Sequence, residues 1–428
     1  MQVSLHRLDR TWAWYLVPLN ASSTGLSTII PLYMLTLGEQ VREVAIAMFI
    51  SNFAATIGAI FWGKIIDIMH WRKMVITICS AAISITAGSV YFVSNAGFLM
   101  LLSGLAGFFS VGPAPATNLL VMEKSRKTEW LRTFNWTSLI SAVGLVISML
   151  AGYLWLMQHD IRSYAIICSI IAISALVLTM LLVKDSPVRT LERKAMAKSH
   201  VALAHRMRQA PLMFLKPMSD LSVSKVRSCV SKKEFMFFAG TGFYFLSGNL
   251  LYTPYTPFLK YNGITDSQVF LAYTILHVSK VIFLPFNHKI IVKIRGGEEM
   301  VGKLAYIPRM SGIALAAVTG FLFSTNPESI LIMTFAAFVL SEVGFSIWST
   351  SITSSLFKMI PAGKEGKVLG VNSAITGAGL LIGSIAAGEV AATLGYSATF
   401  ALSIGVLIAS FMLISRYFYK TAVTKVLT

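Results

Sequence analysis

Hydrophobic residues fall in about twelve blocks along this chain, each roughly 20 to 28 residues long and separated by shorter polar stretches. At a rise of 1.5 Å per residue, a helix of that length matches the ~30 Å hydrocarbon core of a bilayer, which a buried helix of a soluble protein does not need. The pattern predicts helices at 11–37, 43–68, 74–94, 97–122, 133–157 and 163–183. After a polar stretch they resume at 235–259, 267–292, 303–324, 328–357, 367–393 and 397–418. The expected fold is an all-α membrane protein: twelve transmembrane helices in two pseudo-symmetric six-helix bundles, 1–184 and 235–428, joined by a linker over 185–234. The first block begins near Thr11 and is too long for the apolar core of a cleaved signal peptide, so it is read as the first span.

Composition supports this. Of 428 residues 55% are hydrophobic and 13% charged, whereas soluble domains carry roughly 25% charged residues. Cys79, Cys168 and Cys229 offer neither a pairing framework nor a CxxC metal spacing. No metal site and no cofactor are expected.

The net charge of +18 would suit nucleic acid, but the placement of the basic residues points elsewhere. With both termini on one side, that side holds 31 of the 36 Lys and Arg. The opposite loops hold Arg42, Arg162 and Lys260, and Lys280 and Arg309 fall within spans. Without the twelve basic residues from Lys184 to Lys233 the balance is still 19 to 3. The positive-inside rule then places a multi-pass protein in the cell membrane with both termini cytoplasmic, and the basic excess faces anionic lipid headgroups rather than nucleic acid. Within the linker, His200 to Met213 has the pattern of a basic amphipathic helix; the alternative is a solvated tether.

The halves echo one another. Pro31, Leu32 and Tyr33 precede Gly38 as Pro257, Phe258 and Leu259 precede Gly263, an offset of about 225 residues. Phe109-Ser110 and Asn135 recur as Phe345-Ser346 and Asn372, and Gly144, Ser148 and Gly152 recur as Gly379, Gly383 and Ala387. Small residues four apart let helix backbones approach where lipid gives no hydrophobic drive for association. Two parallel repeats place a polar cavity between the bundles.

Between the second and third helices lie Gly63, Asp67, Arg72 and Lys73. This loop, with the six-plus-six layout, resembles the signature of the major facilitator superfamily. Ile68, His70 and Trp71 depart from the usual pattern, and the counterpart at 287–297 keeps Lys293 and Arg295 without an acid. The resemblance implies a secondary transporter working by alternating access, in which Asp67 meets the start of the eleventh helix near Gly366 as a conformational latch. Ser103 and Ser148-Met149 stand where proton-coupled drug exporters of the superfamily often carry Arg and Gly-Pro, which disfavours typical drug–proton exchange.

Ionisable residues inside a membrane are expensive and mark function by default. His277 and Lys280 share a face of the eighth helix, with Lys280 about 20 Å from its start. Glu342, in the tenth, is its expected partner. Arg309 lies only about 9 Å into the ninth and could either snorkel to the interface or face the cavity. Asn20, Asn52 and Asn118 are candidate solute ligands from the first half, with interhelical hydrogen bonding the alternative; Asn249, Tyr252, Tyr255 and Trp348 are candidates from the second. Glu342 and His277 are the candidates for proton coupling.

Neither a GxxxxGK[ST] loop nor HExxH is present, so ATP-driven transport and zinc hydrolysis are disfavoured and no enzyme is expected. The expected function is secondary transport of a small organic solute by a monomer, coupled to protons, with an anionic solute favoured by the basic side chains. The alternatives are an efflux pump for amphipathic compounds and a non-transporting sensor or channel.

Overall fold

In the computed structural model, residues 11–69, 72–125, 129–184, 232–294, 297–322, 326–359 and 365–427 are described. The proposed amphipathic helix of the linker and the side chain of Asp67 lie outside the described residues. Every regular element among the described residues is a helix. After a short 3-10 turn, Thr11–Tyr15, come α1 (Leu16–Thr36), α2 (Val41–Met69), α3 (Arg72–Phe92), α4 (Ala96–Ser110), α5 (Pro113–Lys124), α6 (Trp130–Leu156) and α7 (Ile161–Leu182). Then follow α8 (Lys232–Tyr261), α9 (Asp266–Lys293), α10 (Gly297–Leu304), α11 (Tyr306–Leu322), α12 (Pro327–Met359), α13 (Glu365–Leu394) and α14 (Tyr396–Leu427).

Ten stretches among the described residues are long and apolar enough to cross a membrane, α4 with α5 forming one and α10 with α11 another. The hydrophobic blocks had suggested twelve. The difference is α1 and α8, which have 21 and 30 residues but are diluted by Asn, Ser, Thr and Tyr. These two helices carry most of the polar wall of the central cavity.

Two predicted spans are broken helices. Pro113 opens α5, where a missing N–H costs nothing. The span predicted from 303 begins instead at Gly297, and its break falls at Ala305. Pro308 therefore sits in the first turn of α11 rather than inside a helix, and frees no interior carbonyl. The earlier start also puts Arg309 twelve residues into the span, so the expectation that it lies close to the interface does not hold.

Packing repeats across the chain. α1 lies against α6 and α7, as α8 lies against α13 and α14; α2 pairs with α4 as α9 pairs with α12. Ser22 Oγ donates to the Cys168 carbonyl at 2.7 Å, and Ser247 Oγ to the Ser403 carbonyl at 2.9 Å. A side chain on Gly144 would strike the Val17 carbonyl, and one on Gly379 the Gly242 carbonyl. Gly38 and Gly263 close α1 and α8 with φ of 91° and 79°, the left-handed conformation that glycine adopts without strain. Gly379→Val is accordingly expected to destabilise the fold by about 1–3 kcal/mol through overpacking, read by thermal unfolding in detergent. Gly405→Val, which meets nothing within 4 Å, should not.

The contacts between the first and second halves run along α2 with α13 and along α6 with α9. Arg42 and Glu389 form a 2.8 Å ion pair at the end of the bundle far from the linker. Nearby, Gly388 packs against Ala45, and Gly152 against the ring of Phe270, which Tyr164 meets edge-on. These contacts join the two halves at the far end. Both members of the ion pair are half exposed, so Arg42→Ala should alter stability by no more than about 1 kcal/mol. It is expected to raise the reactivity of a cysteine placed at Met48, measured by maleimide labelling, because the far end opens more often.

Candidate functional site

Between α1 and α8 lies a cavity of about 360 Å³, near the lower end of the ~300–1,000 Å³ usual for small-molecule sites. The first half contributes Thr24, Ser27, Thr28 and Pro31 from α1 and Met48 from α2. The rest comes from the second half: a strip of α8 from Tyr244 to Thr256, Tyr273, Leu276 and His277 of α9, Arg309 of α11, Glu342 and Phe345 of α12, and Leu380 of α13. The first half is neutral and hydroxylated, the second aromatic and charged.

Arg309 is only 2% exposed. It does not snorkel, because the guanidinium points inward and is held there. Nη1 donates to Tyr252 Oη at 3.0 Å and to the Ser341 carbonyl at 3.1 Å. The rings of Tyr244, Tyr252 and Phe345 have their centres 5.6, 5.2 and 5.9 Å from its central carbon, within cation–π range. Glycines make this possible: Gly344 brings α12 against the backbone of Arg309, and Gly312 brings α11 against Ser341.

Glu342 is 5% exposed, and its Oε1 accepts no hydrogen bond among the described residues. Lys280 Nζ stands 3.9 Å from that oxygen. This is a charge pair too long for a hydrogen bond. Lys280 is not part of the cavity wall, but its ammonium lies 5.7 Å from the centre of Phe345. That ring thus meets both cations. His277, one turn from Lys280, lines the cavity with its Nδ1 buried and without a partner.

Other sequence candidates have different places. Asn52 and Asn249 both donate to Ser384 Oγ, at 2.9 and 2.8 Å, and Ser384 donates onward to the Leu380 carbonyl. Both lone pairs and the proton of that hydroxyl are used, so the two amides tie α2 and α8 to α13. Asn249 also borders the cavity; Asn52 does not. Asn20 bonds back to the Leu16 carbonyl, and Asn118 is exposed on α5. Tyr255 is fully buried against Phe338 and Phe400. Trp348 stacks on Tyr244 at 3.5 Å and donates to Tyr306, behind the cavity wall. None of these four lines the cavity.

Of the implied latch, Arg72 pairs with Glu123 of α5 at 2.6 Å, and Lys73 donates to the Met180 carbonyl at 2.6 Å. Gly63 lies within α2, and a side-chain carbon there meets nothing within 4 Å among the described residues. The contact between Asp67 and the start of α13 lies outside them.

Sequence reasoning missed Thr24, Ser27 and Thr28, whose i, i+3, i+4 spacing one turn before Pro31 was the available signal. It also missed Tyr244 and Phe345, which look like ordinary apolar-face aromatics.

The profile described as Major Facilitator Superfamily matches residues 18–375. An uncharacterised MFS-type transporter of Methanocaldococcus jannaschii is 24% identical over 400 residues, covering 91% of this chain and 94% of its own length. Among solved structures, the nucleoside transporter NupG superposes with a TM-score of 0.69 at 14% identity, over 97% of this chain and 99% of its own. A D-xylose-proton symporter gives 0.69 at 13%, over 95% and 96%. A POT family transporter in complex with 5-aminolevulinic acid gives 0.70 at 13%, over 94% of each chain.

Proposed function

Because the chain belongs to the major facilitator superfamily and is a multi-pass membrane transporter of that type, we propose that it moves a small organic anion by alternating access, coupled to protons. Two bundles, 1–184 and 235–428, rock about the α2–α13 and α6–α9 seams. Both termini lie in the cytoplasm, so the far end faces outward.

The observation that carries the anionic reading is the balance of charge beside the cavity: two cations, Arg309 and Lys280, against the single carboxylate of Glu342. A solute anion completes that balance, and a net charge left alone in a largely desolvated site is costly. Coupling follows from the loose Lys280–Glu342 pair. Protonating Glu342 removes the attraction and releases the ammonium toward the cavity, so that proton and anion load together. A D-xylose-proton symporter of the same fold supports the coupled reading.

The test is counterflow in proteoliposomes with a panel of labelled carboxylates, amines and neutral solutes. Exchange of carboxylates alone, accelerated by an inward proton gradient, is the expected result. Exchange restricted to cationic amphiphiles would favour the efflux reading, and binding without exchange would favour a sensor.

A further inference from the structure

The five N–H bonds of Arg309 are unequally used. Nη1 serves Tyr252 and Ser341, and Nε is buried with no acceptor. Among the described residues Nη2 makes no hydrogen bond, and it faces α8 at Gly248. A side-chain carbon built on that glycine would lie 3.4 Å from Nη2 and would meet no other heavy atom within 4 Å. Gly248 stands midway between Tyr244 and Tyr252 at i, i+4, i+8 spacing, so the three share one helix face. Both tyrosine rings flank the same guanidinium. Ring, gap and ring form a slot one residue wide, with a charged donor at its side.

We propose that this slot docks the acidic group of the solute, that the group is a carboxylate, and that Gly248 is the specificity-determining residue. The inference rests on the anionic reading above and deepens it. One carboxylate oxygen fits the space the missing side chain leaves and accepts from Nη2 end-on. A charge-assisted bond of this kind is stronger than a neutral one. A phosphonate presents three oxygens and more charge to a single open nitrogen, and leaves most of them without a donor. Any side chain at 248 would fill the space and screen the guanidinium.

Gly248→Ala is a selective test because alanine is the better helix former and the built carbon meets only the tip of Arg309. Purified full-length wild type, Gly248→Ala, Arg309→Met and the control Gly405→Ala would be melted in detergent against benzoate, phenylphosphonate and benzamide. Benzoate should stabilise wild type and Gly405→Ala, and its half-saturating concentration should rise about ten-fold or more in Gly248→Ala, equivalent to ~1.4 kcal/mol. Arg309→Met should not respond. Equal benzoate response in wild type and Gly248→Ala would overturn the slot while leaving anion transport standing. Stabilisation by phenylphosphonate at least as strong as by benzoate would overturn the carboxylate assignment. No response to either acid, with or without one to benzamide, would overturn the anionic reading and this inference with it.

Discussion

Arg309→Met is expected to abolish solute uptake, and Arg309→Lys to restore less than about a tenth of it, since each hydrogen bond from a charged donor contributes roughly 1.5–3 kcal/mol. The guanidinium makes two hydrogen bonds in fixed directions while lying within 6 Å of three ring centres. An ammonium is a point charge on a flexible stem and cannot hold Tyr252 and the Ser341 carbonyl while keeping a planar face to the rings. Tyr252 and the Ser341 carbonyl would also be left without their donor. Uptake into proteoliposomes and thermal unfolding, measured on the same preparations, separate a lost binding group from a lost fold. Uptake by Arg309→Lys equal to wild type would show that charge alone suffices.

The Lys280–Glu342 pair gives the second large effect, and the two single substitutions should be unequal. Lys280→Met leaves a carboxylate that is 5% exposed with one oxygen lacking any hydrogen bond. Glu342→Gln leaves an ammonium whose side chain is 27% exposed and lies 5.7 Å from the centre of the Phe345 ring. The first is expected to cost more stability, though less than the ~3–5 kcal/mol of breaking a fully buried pair, because the partner is partly exposed and 3.9 Å away. The double variant should be more stable than Lys280→Met alone. A double-mutant cycle scored by melting temperature checks this, and strict additivity would show that the two do not interact. In the same series Glu342→Gln should transport without acceleration by an inward proton gradient. Retained acceleration would remove Glu342 as the coupling group.

The fold was legible because membrane burial imposes a length: each hydrophobic block had to become a helix of nearly fixed size, so boundaries fell within a few residues almost everywhere. The exceptions are informative. The ninth span was read as starting at 303, yet a helix begins at Gly297, where Glu298 meets Lys358 and Ser354 of α12 and its charge is satisfied within the bundle. The pairing of Lys280 with Glu342 was legible from cost alone, since two opposite charges in one membrane half must meet or be solvated. Amides were not. Asn52 and Asn249 share the hydroxyl of Ser384, a geometry that no spacing within either helix encodes. Trp348 and Tyr255 were assigned to the cavity for a related reason: an aromatic residue on a polar-flanked face reads alike whether it borders a cavity or stacks one layer behind it.

The paired landmarks of the two halves do not keep a constant interval. Gly38 and Gly263, at the ends of α1 and α8, are about 225 residues apart, whereas Cys168 and Ser403, which accept the matching serine bonds, are about 235 apart. The extra residues accumulate between those marks, where α10 with α11 spans 297–322 against 72–92 for α3, and α12 spans 327–359 against 96–124 for α4 with α5. The lengthened spans hold Arg309 and Glu342. A chimera made of the first half in duplicate would keep the serine clasps and the glycine contacts, and would fold around a cavity lined by threonine, serine, proline and methionine with no charge in it. In the language of duplicated genes, the frame is written in both copies, and the charged side chains beside the cavity stand in only one.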